Sequence, residues 1–361
     1  VGRRVAGRGG RQGHFGGAPQ ITPEAPGGGG GGGVTVTSID TAVGGYRDSV
    51  VIAGTGFESG QAVLFGSTSA DNIVYTSSIR IDCDVPTGET GLTDVSVAGV
   101  TLSDAILLPD LEIDFEDYAD TAALVAAVSD NGHAIFKGIN FLENNGATVN
   151  LDTGVGYGVL TKSMRYDYED RTGAGGSRCN QQNATVCVRS LSGTELWAEF
   201  YIRFSSNYTT VTPAGWSCGN PADHKLVFHR VLPNGKRYSL KTGVGTSAQR
   251  WAASTPGAED EFPDPLPDPW NDTEPLHPDN WWDATFYRFR FHILLSTTDP
   301  GSDGVYEVWM GDTKVQNITG RSISGATSWK DIYLGANRTP SDVATNVWWG
   351  RLRWWLSDPS W

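Results

Sequence analysis

The chain has 361 residues, 27 basic against 41 acidic side chains and a net charge of −14. Its 39 % hydrophobic fraction is that of a globular protein, long enough for two or three domains. The acidic balance argues against specific nucleic-acid binding or attraction to anionic lipid, and the longest apolar run, Ala122 to Val128, is too short for a membrane-spanning helix.

Residues 1–33 hold 14 glycines, including the unbroken run Gly27 to Gly33, with Arg3, Arg4, Arg8 and Arg11 set against the single acid Glu24. Such a segment buries too little apolar surface to offset its conformational entropy, so it is predicted to be an extended arm that orders only against neighbouring subunits. With the arm at net +3, residues 34 to 361 carry −17. The arm also lacks the apolar stretch of a secretory signal. A β-rich protein without that signal is expected in a virion, made in the cytosol and released by lysis, with the four arginines anchoring it to other virion proteins.

From Val34 to about Leu108, short β-branched runs recur every 10 to 20 residues: Val34–Thr37, Val50–Ile52, Val63–Phe65 and Asp94–Val97. Gly-rich and Pro-containing turns separate them, the pattern of an antiparallel sandwich. The segment resembles the IPT/TIG family of immunoglobulin-like domains through Ile39, Gly44-Gly45, Val51 to Phe57, Val63 to Gly66, Val85-Pro-Thr-Gly88 and Val95 to Val97. Asp40 departs from the family, which usually has proline there. Gly54 and Gly56 are predicted to allow a tight backbone while Phe57 plugs the sandwich. The resemblance implies a spacer or docking module without chemistry of its own.

Residues 109 to 361 alternate apolar and polar side chains over longer runs, Leu196–Phe204, His224–Val231, Thr285–Leu295, Gly304–Met310 and Val347–Leu356. The dipeptides Asp303-Gly304 and Gly311-Asp312 bracket one run, so residues 285 to 316 are predicted to form a meander. With Phe115-Glu-Asp117 opening the segment and Trp348 to Arg353 as a final strand, it resembles the concanavalin A-like (laminin G-like) jelly-roll superfamily. The predicted fold class is therefore all-β: an Ig-like sandwich, then a jelly-roll, behind the glycine-rich arm. Fold alone does not settle function, because lectins, lyases, glucanases and viral adhesins share this one.

Several constellations compete for a role. Glu112-Ile-Asp-Phe-Glu116 fits the ExDxE pattern of retaining β-glucanases, in which strand alternation aligns the acids. That family carries the motif on a middle strand, whereas here it opens the domain, so Phe115 is predicted to enter the core and Glu112, Asp114 and Glu116 to face solvent. Tyr238 to Gly243, with His229 and Arg230 nearby, is similar to the Tyr-Phe-Lys-Ala-Gly strand of alginate-lyase-like jelly-rolls, but the Gln-Ile-His element is missing.

Between Glu259 and Asp283 lie nine acids, six prolines and the tryptophans Trp270, Trp281 and Trp282. Such a loop offers rings to stack on sugars or on a subunit, or else to cover a sheet edge. Asp299 and Asp303 could ligate calcium but fit turn formation better. One member each of Trp348-Trp349 and Trp354-Trp355 is predicted to face the core, leaving the partners and Trp361 as sticky surface unless another chain covers them. Cys83, Cys179, Cys187 and Cys218 lack zinc-site spacing; Cys179 and Cys187 suit either a hairpin bridge or reduced thiols. Together these readings predict a non-enzymatic, oligomeric virion protein, a decoration, head fibre or tail appendage, with no required cofactor and a jelly-roll that binds host glycan. The alternative is a polysaccharide-active enzyme or a secreted lectin.

Overall fold

The computed structural model describes residues 33–129, 147–168, 186–188, 193–207, 224–232, 237–242, 251–254, 284–295, 303–321, 328–334 and 344–361. The first sandwich is built from β1 (Thr35–Ile39), β2 (Ser49–Thr55), β3 (Val63–Phe65), β4 (Thr68–Ser69), β5 (Asp71–Ser77), β6 (Arg80–Asp84), β7 (Gly91–Val97) and β8 (Val100–Leu108). They form two four-stranded sheets, ordered β1-β2-β6-β5 and β4-β3-β7-β8. Every paired strand is antiparallel. Period-two alternation turns Val50, Ile52, Val63, Phe65, Ile81, Val95 and Val97 into one shared core. Phe57 sits there as predicted: a side chain on Gly54 would run into its ring, and Gly56 takes a positive φ of 71°. Cys83 is a free thiol in the same core, where burial pushes its pKa to about 12.

The second sandwich begins with β9 (Leu111–Ile113) and the one helix among the described residues, α1 (Thr121–Ser129). The apolar run Ala122 to Val128 thus forms a helix, which an all-strand reading missed. Asp120 caps it, accepting from the amide of Ala123 at 2.8 Å, and Leu124 enters the core. The strands that follow are β10 (Ala147–Asp152), β11 (Ser163–Tyr168), β12 (Val186–Val188), β13 (Glu195–Phe204), β14 (His224–Leu232), β15 (Arg237–Thr242), β16 (Trp251–Ser254), β17 (Phe286–Leu294), β18 (Gly304–Met310), β19 (Thr313–Arg321), β20 (Ser328–Leu334) and β21 (Thr345–Trp355).

An eight-stranded sheet runs β10-β11-β21-β13-β17-β18-β19, with β9 beside β21, and a five-stranded sheet runs β12-β20-β14-β15-β16. The expected meander is β17-β18-β19. Phe200, Ile202, Phe289, Phe291, Tyr306, Val308, Trp349, Leu352 and Trp354 of the larger sheet pack in one core with Val227, Ile332 and Leu334 of the smaller. The architecture is all-β as predicted, with α1 as a small addition. The arm of residues 1–32 lies outside the described residues, as do Arg3, Arg4, Arg8 and Arg11. No described helix is long and apolar enough to cross a membrane.

Candidate functional site

Because strands alternate, the face of the eight-stranded sheet opposite the core collects a second set of side chains. On β13 these are Glu195, Trp197, Glu199, Tyr201 and Arg203. Cross-strand partners share a face, so register places Trp355 and His292 beside Trp197, Arg353 and Arg290 beside Glu199, Arg288 beside Tyr201, and Trp348 and Phe286 beside Arg203. This outer face divides into a roofed half and a strip.

The Ig-like sandwich roofs the first half. Leu107 and Val43 pack with Trp197, Trp309, Trp355 and Trp361. Beside this apolar patch lies a buried charge cluster. Asp48 of the Ig-like sandwich meets Arg351 at 2.5 Å and Arg353 at 2.6 Å. Glu112 pairs with both guanidiniums at 3.1 Å and accepts from the amide of Tyr46 at 2.8 Å. Glu199 completes the cluster at 3.4 Å from Arg353. Burial opposes charge on Asp48, but Arg353 and Arg351 outweigh it and hold that carboxyl below the usual range. For fully enclosed Glu112 the desolvation dominates and pushes the pKa up.

This overturns the expectation for the ExDxE acids. Phe115 does enter the core, but Glu112 and Asp114 are buried rather than solvent-facing. Asp114 pairs with Arg47 of the Ig-like sandwich, which also reaches Asp117. Glu116 accepts from the amides of Thr161 at 2.6 Å and Lys162 at 2.8 Å. The three acids serve three separate structural contacts, two of them buried, which is not the arrangement of a glucanase dyad. The tryptophan pairs are corrected as well. Trp349 and Trp354 face the core as predicted, but outward Trp355 is only 1 % exposed and Trp348 only 8 %. The chain's own Ig-like sandwich and its own Trp361 cover Trp355.

At the end of the roofed half, His292 stacks on Trp197 with centroids 3.7 Å apart. Its Nε2 lies 2.9 Å from Glu195 and its Nδ1 3.0 Å from Glu307, which also binds Lys314 at 2.5 Å. Glu307 is partly desolvated, yet Lys314 and His292 pull its pKa down.

The strip is different in kind. Tyr157 stacks on Tyr201 at 3.7 Å and meets Phe286 edge-on at 5.9 Å. Gly350 makes this approach available, since a Cβ there would lie 2.9 Å from Cβ of Tyr157 and 3.0 Å from the Phe286 ring. Tyr157 and Arg288 hold the Tyr201 hydroxyl. Burial, then Glu199, pushes the Tyr201 pKa far above the ordinary tyrosine value, so this hydroxyl keeps its proton and is a hydrogen-bond donor. Arg203 lies over Trp348 at 4.9 Å, and its buried Nε has no hydrogen-bond partner among the described residues. Trp348 donates to Asp152 at 2.9 Å, and Asp152 holds Arg165 at the same distance. Arg290 and Arg288 share the exposed carboxylate of Asp312. Burial and the neighbouring Arg288 lower the Arg290 pKa.

Of the other predicted sites, Trp270, Trp281, Trp282, Asp299, Cys179 and Cys218 lie outside the described residues. His229 stands opposite Tyr238 in the β14–β15 pairing, and Arg230 opposite Arg237. The backbone therefore makes the predicted neighbours direct cross-strand partners, in the smaller sheet. No group of metal-ligating side chains occurs among the described residues. Of the strip, the sequence singled out only Trp348, as one member of a tryptophan pair. The signal for the rest was the odd-numbered set on β13 together with a glycine between two tryptophan pairs.

Residues 34–109 match the IPT/TIG domain, so the chain carries a TIG domain at the position its motifs indicated. No curated protein matches the chain. Among solved structures the chain is similar to an alginate lyase variant in complex with alginate tetrasaccharide, at 14 % identity and a TM-score of 0.44, covering 68 % of this chain and 96 % of that one. It is similar to a cellulose-induced protein at 16 % identity and a TM-score of 0.43, covering 69 % and 98 %. It is also similar to an endo-β-1,4-glucuronan lyase from the fungus Trichoderma reesei at 11 % identity and a TM-score of 0.39, covering 70 % and 99 %. These comparisons correct the expectation of a non-enzyme, because polysaccharide lyases stand among the structures that share the architecture. At these identities the likeness concerns fold and assigns no reaction.

Proposed function

We propose that the chain binds a polysaccharide along the strip of the eight-stranded sheet. One observation carries this reading: aromatic rings and guanidinium groups fall in a single registered row, with Trp348, Arg203 and Phe286 side by side across β21, β13 and β17 and with Tyr157, Tyr201 and Arg288 next to them. Sugar rings present apolar C–H faces to aromatic planes, while their hydroxyls and carboxylates need fixed donors; the half-buried rings of Tyr157 and Phe286 and the guanidiniums beside them supply both. The donors are the half-buried guanidiniums of Arg203 and Arg288.

Affinity electrophoresis of the full chain against alginate, glucuronan, mannan, galactomannan, β-1,4-glucan and xyloglucan tests the reading. Retardation by at least one polymer is expected, and its loss in Tyr157→Ala and Arg203→Ala. Retardation that survives both substitutions places binding elsewhere. Ultraviolet absorbance from unsaturated sugar products, followed on the same polymers, separates binding from lyase turnover.

We also carry forward the virion setting, with host glycan as the ligand and Trp270, Trp281 and Trp282 as further contacts. It rests on the sequence alone, on the glycine- and arginine-rich segment 1–33 and the acidic body behind it. Mass spectrometry of purified particles tests it, and absence of the chain from particles defeats it.

A further inference from the structure

We propose that the Ig-like domain is a fixed wall of the strip and decides which polysaccharides enter it; this rests on the polysaccharide reading above. The wall stands across the strands at the level where Trp355, Trp197 and His292 are register partners on β21, β13 and β17. The strip lies parallel to it, where Arg165, Trp348, Arg203 and Phe286 are partners across β11, β21, β13 and β17. The two rows are six residues apart on β13, about 20 Å at strand rise. Asp48 narrows that gap, because its carboxylate engages Arg351 and Arg353, which lie on β21 between the rows.

The row from Arg165 to Phe286 crosses three strand spacings, about 14 Å, and Tyr201 and Arg288 form the next row towards the Ig-like domain. A linear polymer therefore lies across the strands with one flank against the Ig-like domain. A substituent on that flank meets protein.

Two features hold the wall still. One is the apolar seat of Val43 and Leu107 on Trp197, Trp309, Trp355 and Trp361. The other is the charge cluster, in which Asp48 and the Tyr46 amide of the Ig-like domain pair with Arg351, Arg353 and Glu112 of the jelly-roll. A rigid wall rejects the wrong polymer by collision, which is selectivity by exclusion rather than by added contact. The Ig-like domain thereby becomes a specificity determinant of the jelly-roll, in place of a spacer.

The test compares linear and branched forms of one backbone on the full chain: mannan with galactomannan, and β-1,4-glucan oligosaccharides with xyloglucan oligosaccharides. Affinity at least about tenfold higher for the linear member is expected. In Leu107→Ala with Asp48→Asn, whose loosened docking is read by small-angle X-ray scattering, that ratio is expected to fall about threefold or more while linear affinity stays within about twofold. Equal affinity of the native chain for both forms overturns the wall and leaves polysaccharide binding intact, a comparison that does not depend on the variant folding. An unchanged ratio in a loosened variant overturns it as well. No binding of any polymer defeats both proposals together.

Discussion

The two faces of the eight-stranded sheet are both buried around β21, by opposite chemistry. On one face Trp349, Leu352 and Trp354 join an apolar core. On the other, Arg351 and Arg353 are buried as well, yet they are surrounded by Asp48, Glu112 and Glu199. Alternation of apolar and charged residues along a strand ordinarily marks one wet face. Here it marks an interface with a second domain. The apolar face is held by contact area, which tolerates redistribution. The charged face is held by pairing, which fails when one member is lost.

That contrast can be broken experimentally. Arg353→Ala strands Glu112 and is expected to cost about 3–5 kcal/mol in urea unfolding, as much as the roughly 3–5 kcal/mol expected for Trp354→Ala on the core face. The faces separate in a double substitution, since Glu112→Gln with Arg353→Met removes both charges and is expected to cost less than Arg353→Ala alone. A double variant no more stable than the single one would show that Glu112 is not the charge that matters. Next in size, Gly350→Ala forces a Cβ against Tyr157 and Phe286 and is expected to cost about 1–3 kcal/mol, with weaker polysaccharide retardation.

The pH response sharpens the same comparison. The folded-state pKa of Asp48 is depressed by Arg353 and Arg351 against its burial, so its contribution is complete above the unfolded value of about 4 and is lost as pH falls through the folded value. Stability is expected to drop on acidification below that point, with a shallower acid limb in Asp48→Asn when unfolding is followed at several pH values. An identical limb in the variant would remove Asp48 from the account. The smallest structural effect belongs to Tyr157→Ala, expected to cost about 1 kcal/mol of stability while polysaccharide retardation falls sharply.

Much of the fold was legible because strands announce themselves by period. Gly304–Met310 was predicted residue for residue, and Leu196–Phe204 is β13 less its first residue. The TIG domain was legible from glycines and hydrophobics at fixed offsets, which reflect local backbone demands. The strip was not legible. Tyr157, Tyr201 and Phe286 come from three distant parts of the chain, and only Gly350, on a fourth, lets them meet. The acids of the Glu112 motif were legible as a motif and not as a role, since each found a different partner far along the chain.

The sequence by itself determined that this protein is all-β, that an Ig-like unit precedes a jelly-roll, and that one tryptophan of each pair turns inward. Those properties follow from short-range periodicity and from what each side chain does in water. Only the tertiary structure decided that Trp355, Arg351 and Arg353 are covered by the chain's own first domain, and that the remaining row forms a strip beside it. Burial and charge pairing are set by what arrives on the far face of a sheet, and alternation along a strand carries no record of that.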